Sequence, residues 1–204
     1  MQKIIVYTAI TAEKDKLRDD IKVFKNEDFN KFTNPVMNAK IFKVLPHKFI
    51  SCDISIWIDG NIFLNVPPEK LVEEWLGNSD IALMEHYRKK DIYWEAKMIK
   101  ATFKRRTPWV SDDVDKQIKF YEENRLIPQK EEMAMGGIII RRHNPLVENF
   151  NEAWWAEICK WSQRDQISLP VIIKKTKNLK VNLVKGSIKN HPYLTYLNHN
   201  HFNT

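Results

Sequence analysis

The chain has 204 residues, with 33 Lys and Arg against 26 Asp and Glu, a formal net charge of +7, and 43% hydrophobic residues. These values predict a globular fold rather than a disordered chain, and no apolar run reaches the roughly 20 residues that a membrane-spanning helix needs. The basic surplus suits an anionic partner such as a nucleotide or a phospholipid surface, but its basic runs lack the interleaved aromatic residues of a nucleic-acid-binding pattern.

No linker or internal repeat divides the sequence, so we expect a single domain over residues 1–204, either complete or the first domain of a longer protein. Cys52 and Cys159 are predicted to be free, reduced thiols. The first apolar run, residues 4–7, is too short for a signal-peptide core. The sequence therefore predicts a cytoplasmic protein, at most peripheral to a membrane.

The first third of the chain predicts two strands and a lysine-bearing helix. Residues 3–8 form a buried-strand pattern, and residues 29–33 form a second, shorter one. Residues 38–47 are predicted to be a short helix or turn that carries Lys40 and Lys43 and ends at Pro46.

The stretch 51–64 predicts a buried strand that ends on Asp59-Gly60-Asn61. Open α/β sheets bind ligands beyond the carboxyl ends of their strands, so this position suits hard oxygen ligands. Asp59 and Asn61 are two residues apart, and in an extended segment both side chains would point the same way. The alternative interpretation is a tight hairpin turn, which Asp-Gly also favours.

The remaining pattern alternates helices and strands. The predicted elements are a helix from Pro67 to Gly77, a strand over 80–84, a helix over 92–103, a helix starting at Ser111, a glycine-led strand over 135–142 and a helix from Asn144. This alternation predicts the α/β class, with a mixed, mainly parallel central sheet flanked by helices.

Few residues carry recognisable chemistry. The sequence has no phosphate-binding glycine motif, no zinc-type Cys/His spacing and no serine nucleophile elbow. His86 and Arg88 form a polar cluster after a predicted strand. Asp165 follows the most apolar helix, where it is either an ion-pair partner of Arg164 or a general base or hydroxyl-holding carboxylate.

Taken in order, these segments resemble the GT-A, Rossmann-like glycosyltransferases that use nucleotide-diphospho-sugars. They are particularly similar to a glycosyltransferase-like family, formerly a domain of unknown function, found in bacteria, plants and large viruses. The resemblance covers about residues 3–170. The segments that carry it are Tyr7-Thr8-Ala9-Ile10-Thr11, Lys43-Val44-Leu45-Pro46-His47, Ile56-Trp57-Ile58-Asp59-Gly60-Asn61, His86 with Arg88, Gly137 to Asn144, and Trp154-Trp155 leading to Arg164-Asp165-Gln166.

The resemblance implies a role for each matching position. It places Tyr7, Thr8 and Ala9 at the base and ribose, and Lys40 or Lys43 near the nucleotide. Asp59, Gly60 and Asn61 match the Asp-x-Asp metal motif, with His191 as a third metal ligand, and Gly136 and Gly137 match residues that face donor sugar and acceptor. Asp165 and Gln166 would lie near the reacting carbon, with His86 and Arg88 as further catalytic candidates. The cofactor implied is Mn²⁺ or Mg²⁺.

The function expected from this resemblance is metal-dependent transfer of a sugar, most simply from a UDP-sugar, to a saccharide or glycoconjugate acceptor. Asp165 would be the base if the sugar configuration is inverted, and would position substrate if it is retained. One alternative is a nucleotide-sugar-binding protein with weak or no catalysis, which Asn61 in place of an aspartate favours. A nucleic-acid-binding module is the other alternative, motivated only by the net charge.

Overall fold

A six-stranded sheet forms the centre of the computed structural model, which describes residues 2–11, 15, 17–86, 91–103, 108–126 and 133–198. Its strand order is β2-β1-β3-β6-β5-β7, and β4 and β8 form a separate two-stranded sheet. The strands are β1 (Ile4–Ala9), β2 (Lys22–Phe24), β3 (Ile54–Ile58), β4 (Ile62–Leu64), β5 (Ile81–Glu85), β6 (Ala134–Arg142), β7 (Val181–Val184) and β8 (Leu194–Tyr196).

The central sheet is mixed. Strands β2, β1 and β3 run parallel to one another, and β7 runs parallel to β5. Strand β6 is antiparallel to both of its neighbours, β3 and β5. The predicted α/β class with a mixed, mainly parallel sheet is confirmed, whereas the prediction of one domain over the full length stays a prediction.

Six helices flank the sheet in the described part of the chain. They are α1 (Pro35–Val44), α2 (Pro68–Leu71) with a π turn at Val72–Leu76, α3 (Ile92–Phe103), α4 (Pro108–Glu123), α5 (Pro145–Lys160) and α6 (Asp165–Lys175). Asn34 and Asn144 cap α1 and α5, because each side-chain oxygen accepts a hydrogen bond from a first-turn amide and a proline follows. The predicted start of α5 is therefore confirmed.

Both faces of the sheet are covered, as the all-buried strand β3 requires. Ile56 and Ile58 pack on the α2 side with Trp75, and Trp57 packs on the opposite side with Phe42 beneath α1 and α5. A third apolar cluster joins α3, α4 and α6.

Two predicted elements are wrong in detail. Residues 29–33 are not a strand, because Asn38 binds both the amide and the carbonyl of Phe32 and Phe29 packs on the α1 core; the second strand is β2 instead. Helix α4 begins at Pro108 rather than Ser111, since proline fits the first helical turn. Helix α6 and strands β7 and β8 were not predicted from the sequence.

Two smaller observations complete the fold. Cys52 and Cys159 are free thiols, as predicted. Within the described residues, no helix is long and apolar enough to cross a membrane.

Candidate functional site

A cleft of about 520 Å³ opens at the carboxyl ends of β1 and β3. Because β6 is antiparallel to β3, its first residues lie at the same edge, and the Asp59 amide donates to the Gly137 carbonyl at 2.8 Å. Helix α1 forms one wall and the amino end of α6 another. A volume of this size is typical of small-molecule sites.

Ten of the sequence-predicted site residues line this cleft. They are Ala9, Lys40, Lys43, Asp59, Gly60, Asn61, Gly136, Gly137, Asp165 and Gln166. The topology thus gathers residues from five separate parts of the chain at one place.

Four other predicted residues do not line the cleft. Tyr7 and Thr8 are fully buried within β1, and the Tyr7 ring packs edge-on against Trp57. His86 is buried with its ring 5.6 Å from that of Trp94. His191 lies edge-on to Trp75. Arg88 lies outside the described residues.

Asp59 stands where β3 ends and the chain turns. Its Oδ1 accepts a hydrogen bond from the Trp57 indole at 2.9 Å and lies 3.9 Å from the Lys43 ammonium. The turn that Asp-Gly favours is present, since the Ile62 amide donates to the Asp59 carbonyl at 2.9 Å, but it does not close a hairpin, because the following strand β4 pairs with β8 and not with β3. Removal of water by the cleft walls raises the Asp59 pKa above its ordinary value, against the opposing effect of Lys43, although 42% of the side-chain surface remains accessible.

Asp59 and Asn61 both line the cleft, and their side chains carry the oxygen type that a hard divalent cation takes as ligand. The Asn61 amide nitrogen donates to the Leu197 carbonyl at 2.8 Å, so its Oδ1 remains as the acceptor of that group. Mg²⁺ and similar ions are commonly held by one or two such side chains together with substrate phosphates. His191 does not line the cleft and packs against Trp75 with its Nδ1 accepting from the Tyr193 amide, so its role as a third metal ligand stays a prediction. In the described part of the chain, no three His, Cys, Asp or Glu side chains are grouped as metal ligands.

Asp165 bridges two lysines of α1. Its Oδ1 lies 2.8 Å from the Lys40 ammonium, and its Oδ2 lies 2.8 Å from the Lys43 ammonium. Helix spacing explains the geometry, because residues three apart share one face. Asp165 is also the first residue of α6, where the helix dipole favours a carboxylate.

The charges of this group are strongly coupled. Burial opposes ionisation of Asp165, but Lys40 and Lys43 overcome it and hold its pKa well below the usual range. Burial lowers the pKa of Lys40 despite the neighbouring carboxylate. For Lys43 burial has the same direction, but Asp165 and Asp59 outweigh it and raise its pKa. Asp165 is therefore a stable anion at neutral pH.

The two glycines at the start of β6 leave room for these contacts. A Cβ on Gly136 would lie 2.8 Å from the Lys43 Nζ and 3.5 Å from Asp165 Oδ2. A Cβ on Gly137 would lie 2.8 Å from the Ile188 Cδ1 and 3.4 Å from Asp59 Oδ2. At both positions a side chain comes closer than an ordinary Cβ contact allows, so an alanine would require that side chain to shift.

Several cleft residues were missed or paired differently by the sequence reasoning. Adjacency in sequence suggested an ion pair between Arg164 and Asp165. In the structure, Arg164 binds the buried Glu95 of α3 at 3.0 Å. Asp15, Lys189 and Tyr196 also line the cleft. Lys189 follows the Gly186 turn, and only its place in a late basic segment could have indicated it.

Comparison with known proteins gives a family match and two plant relatives. A family model described as TOD1/MUCI70, glycosyltransferase-like domain matches residues 21–192. "Probable hexosyltransferase MUCI70" from Arabidopsis thaliana is 31% identical over 148 residues, which cover 68% of this chain and 25% of that protein. "Alkaline ceramidase TOD1" from the same plant is 30% identical over 165 residues, covering 74% and 34%. The chain thus spans about a quarter to a third of the length of these relatives.

Two solved structures are similar at low identity. Mouse xyloside xylosyltransferase 1 in its apo form has a TM-score of 0.47 and 10% identity, with 90% of this chain and 84% of that chain covered. The apo WbbM bifunctional glycosyltransferase has a TM-score of 0.44 and 10% identity, with 96% and 45% covered.

Proposed function

This chain belongs to the TOD1/MUCI70, glycosyltransferase-like domain family, and we propose that it transfers a hexosyl group from a nucleotide-diphospho-sugar, a UDP-sugar, to a saccharide or glycoconjugate acceptor. The family match confirms the predicted resemblance. The observation that carries the proposal is the gathering of Asp59, Asn61, two lysines and Asp165 in one cleft at the strand ends. The donor, the acceptor and the dependence on metal are parts of the proposal.

Asp59 and Asn61 would hold Mn²⁺ or Mg²⁺ in this reaction. A divalent cation supplies Lewis-acid neutralisation of a leaving diphosphate. Asp59 is suited to this role because Trp57 orients one carboxylate oxygen and leaves the other to the cleft. The raised pKa of Asp59 agrees with a carboxylate that is stabilised further when a cation binds.

Lys40 and Lys43 add fixed positive charge beside the cation site. Charge that develops on the departing diphosphate is stabilised best by groups that are already in place. Gly136 and Gly137 line the cleft at the start of β6, where the absence of their own side chains leaves room for Lys43, Asp165 and Asp59.

Asp165 is better suited to position groups than to accept a proton. An efficient general base has a pKa near the working pH, and Lys40 and Lys43, while they contact Asp165, hold its pKa far below that. This supports the positioning role, which accompanies retention of the sugar configuration. Gln166 lies beside it in the cleft wall, where its amide is available to substrate hydroxyls.

A catalytically weak nucleotide-sugar-binding protein is the second candidate. The observation that favours it is Asn61, which supplies a neutral oxygen where an aspartate would add charge and whose amide is already engaged with Leu197. Release of UDP from UDP-sugars in the presence of Mn²⁺ separates the two candidates, since the binding protein releases none.

The substitution Asp59→Asn tests the proposal directly. It keeps an oxygen acceptor for the Trp57 indole but removes the charge, so the fold should persist while metal-dependent UDP release falls at least about a hundredfold. Asp59→Ala should abolish turnover as well. Glu152→Gln, a carboxylate outside the cleft, is the control with the same change of net charge.

Two outcomes would contradict the proposal. One is full activity in Asp59→Asn at unchanged metal concentration. The other outcome concerns the second plant relative, which is named an alkaline ceramidase. If this chain releases a sphingoid base from ceramide and releases no UDP from a panel of UDP-sugars, the proposed sugar transfer is wrong.

A further inference from the structure

The two lysines of the cleft share one carboxylate between them. Each oxygen of Asp165 contacts a different ammonium at 2.8 Å, and the three side chains expose only 15% (Lys40), 9% (Lys43) and 8% (Asp165) of their surface. All three nevertheless line the cleft. The group therefore combines near-complete burial with an open side facing the position of a ligand.

Both ammoniums of this group already have carboxylate partners. Asp165 contacts both at 2.8 Å and Asp59 lies 3.9 Å from Lys43, so the four side chains together have no net charge. Arg164, which also lines the cleft, has Glu95 as a carboxylate partner. An anion that enters the cleft and binds Lys40 and Lys43 therefore competes with Asp165, which contacts both.

We propose that Asp165 is an internal counter-ion that occupies the diphosphate-binding lysines in the empty cleft and competes with the diphosphate for them. This inference rests on the proposed function for the nature of the anion. When the anion binds, Lys40 and Lys43 exchange their contacts with Asp165 for contacts with phosphate oxygens. No covalent bond is made or broken in this exchange.

The competition predicts the sign of one substitution. Removal of a carboxylate from a cation site weakens binding of the cation, whereas removal of the counter-ion of two lysines strengthens binding of an anion to them. Asp165→Asn should therefore bind inorganic pyrophosphate about tenfold more tightly than the wild type, which matches the low end of coupling between close charged pairs. Lys40→Met and Lys43→Met should each bind it more weakly.

Isothermal titration with sodium pyrophosphate, in the absence of divalent cations, measures this directly on the full chain. Glu152→Gln is the matched control, because that carboxylate also contacts two basic side chains, His47 and Lys48, but does not line the cleft. Its affinity should equal that of the wild type. Equal or weaker binding by Asp165→Asn, or unchanged binding by both lysine variants, would overturn the inference.

A second comparison covers the case in which Asp165→Asn alone does not fold. The double variant Lys40→Met with Asp165→Asn removes one buried charge of each sign, so Lys43 keeps only Asp59, at 3.9 Å, as a carboxylate partner. It should bind pyrophosphate more tightly than Lys40→Met, because Asp165 no longer holds Lys43. If the double variant binds no more tightly than Lys40→Met, the competition does not exist.

These measurements are independent of sugar transfer. If no UDP-sugar is turned over but the pyrophosphate series has the expected order, the proposed function fails and the competition stands. If transfer occurs and Asp59→Asn abolishes it, but Asp165→Asn weakens pyrophosphate binding, the proposed function stands and the competition fails.

Discussion

Two carboxylates in this protein are each held by two basic side chains, and their surroundings differ. Asp165 binds Lys40 and Lys43 in the cleft with 8% of its side chain exposed. Glu152 binds His47 and Lys48 on the surface with 46% of its side chain exposed. The basic partners of both come from α1 and the 3₁₀ turn directly after it. The comparison shows that the same local arrangement serves either a site or a surface, according to its burial.

The largest difference is expected in the free energy of unfolding. Asp165→Ala leaves two nearly buried ammoniums without their carboxylate, and removal of one partner from a buried ion pair costs about 3–5 kcal/mol. Glu152→Ala should cost less than about 1 kcal/mol, because its partners stay solvated. Urea unfolding at pH 7 measures both. Equal losses would show that burial is not what separates the two groups.

The substitution Gly136→Ala should disturb the cleft group without unfolding the protein. Its Cβ would lie 2.8 Å from the Lys43 Nζ, the flexible end of that side chain, so the ammonium moves rather than the backbone. We expect donor turnover to fall about tenfold, as for a lost positioning contact, with little change in thermal stability. Gly137→Ala is the contrast, since its Cβ meets Ile188 and Ile62 in the core and overpacking costs about 1–3 kcal/mol of stability. The reverse pattern would contradict the assignment of these two glycines.

The sequence predicted which residues line the cleft better than it predicted which of them form ion pairs. Asp59 and the glycines of β6 could be assigned because strand ends gather at a sheet edge. Lys40 and Lys43 could be placed on one helix face by their spacing. Their pairing with Asp165 could not be predicted, because it joins parts of the chain that are far apart in sequence. Adjacency in sequence instead suggested Arg164, which the fold turns toward Glu95.

Two residues that were predicted to contact the nucleotide do not line the cleft, because the strand that carries them is buried on both faces. Strand β1 lies between β2 and β3 and is covered on both sides, so Tyr7 and Thr8 are enclosed whichever way they point. Only Ala9, at the end of the strand, reaches the cleft. His191 belongs to a segment whose path depends on the β4–β8 pairing, and no local pattern indicated that pairing.

A smaller effect is expected at His143, which shares its surroundings with His47. Its Nε2 lies 3.8 Å from the Cys52 Sγ, and burial, with Arg141 and His47 nearby, lowers its pKa to about 4 from an ordinary 6.5. The folded protein therefore keeps His143 neutral while the unfolded chain takes up a proton below pH 6.5. Stability should fall as the pH decreases from 6.5 toward 4.

The variant His143→Gln should reduce this pH dependence. Urea unfolding of both proteins at pH 7.5 and pH 5 measures the difference, and the wild type should lose more stability than the variant between the two values. Asp165 should contribute nothing to the slope over this range, because its lowered pKa keeps it ionised throughout. An identical slope in wild type and variant would show that His143 is protonated equally in both states.

The smallest effect is expected for Glu152→Gln. Its hydrogen bond with Lys48 lowers the Glu152 pKa, so the group stabilises the fold above the ordinary value of 4.5 and loses that contribution as the pH falls through the folded value. Because the group is half exposed, the loss at pH 7 should be below about 0.5 kcal/mol and should disappear in about 1 M salt, where exposed charges are screened. Suppose instead that Glu152→Gln loses as much free energy of unfolding as Asp165→Ala, and that salt does not reduce the loss. The presence of two basic neighbours, and not exclusion of water, would then determine how much such a carboxylate stabilises the fold. That result would also remove Glu152→Gln as a control for the cleft.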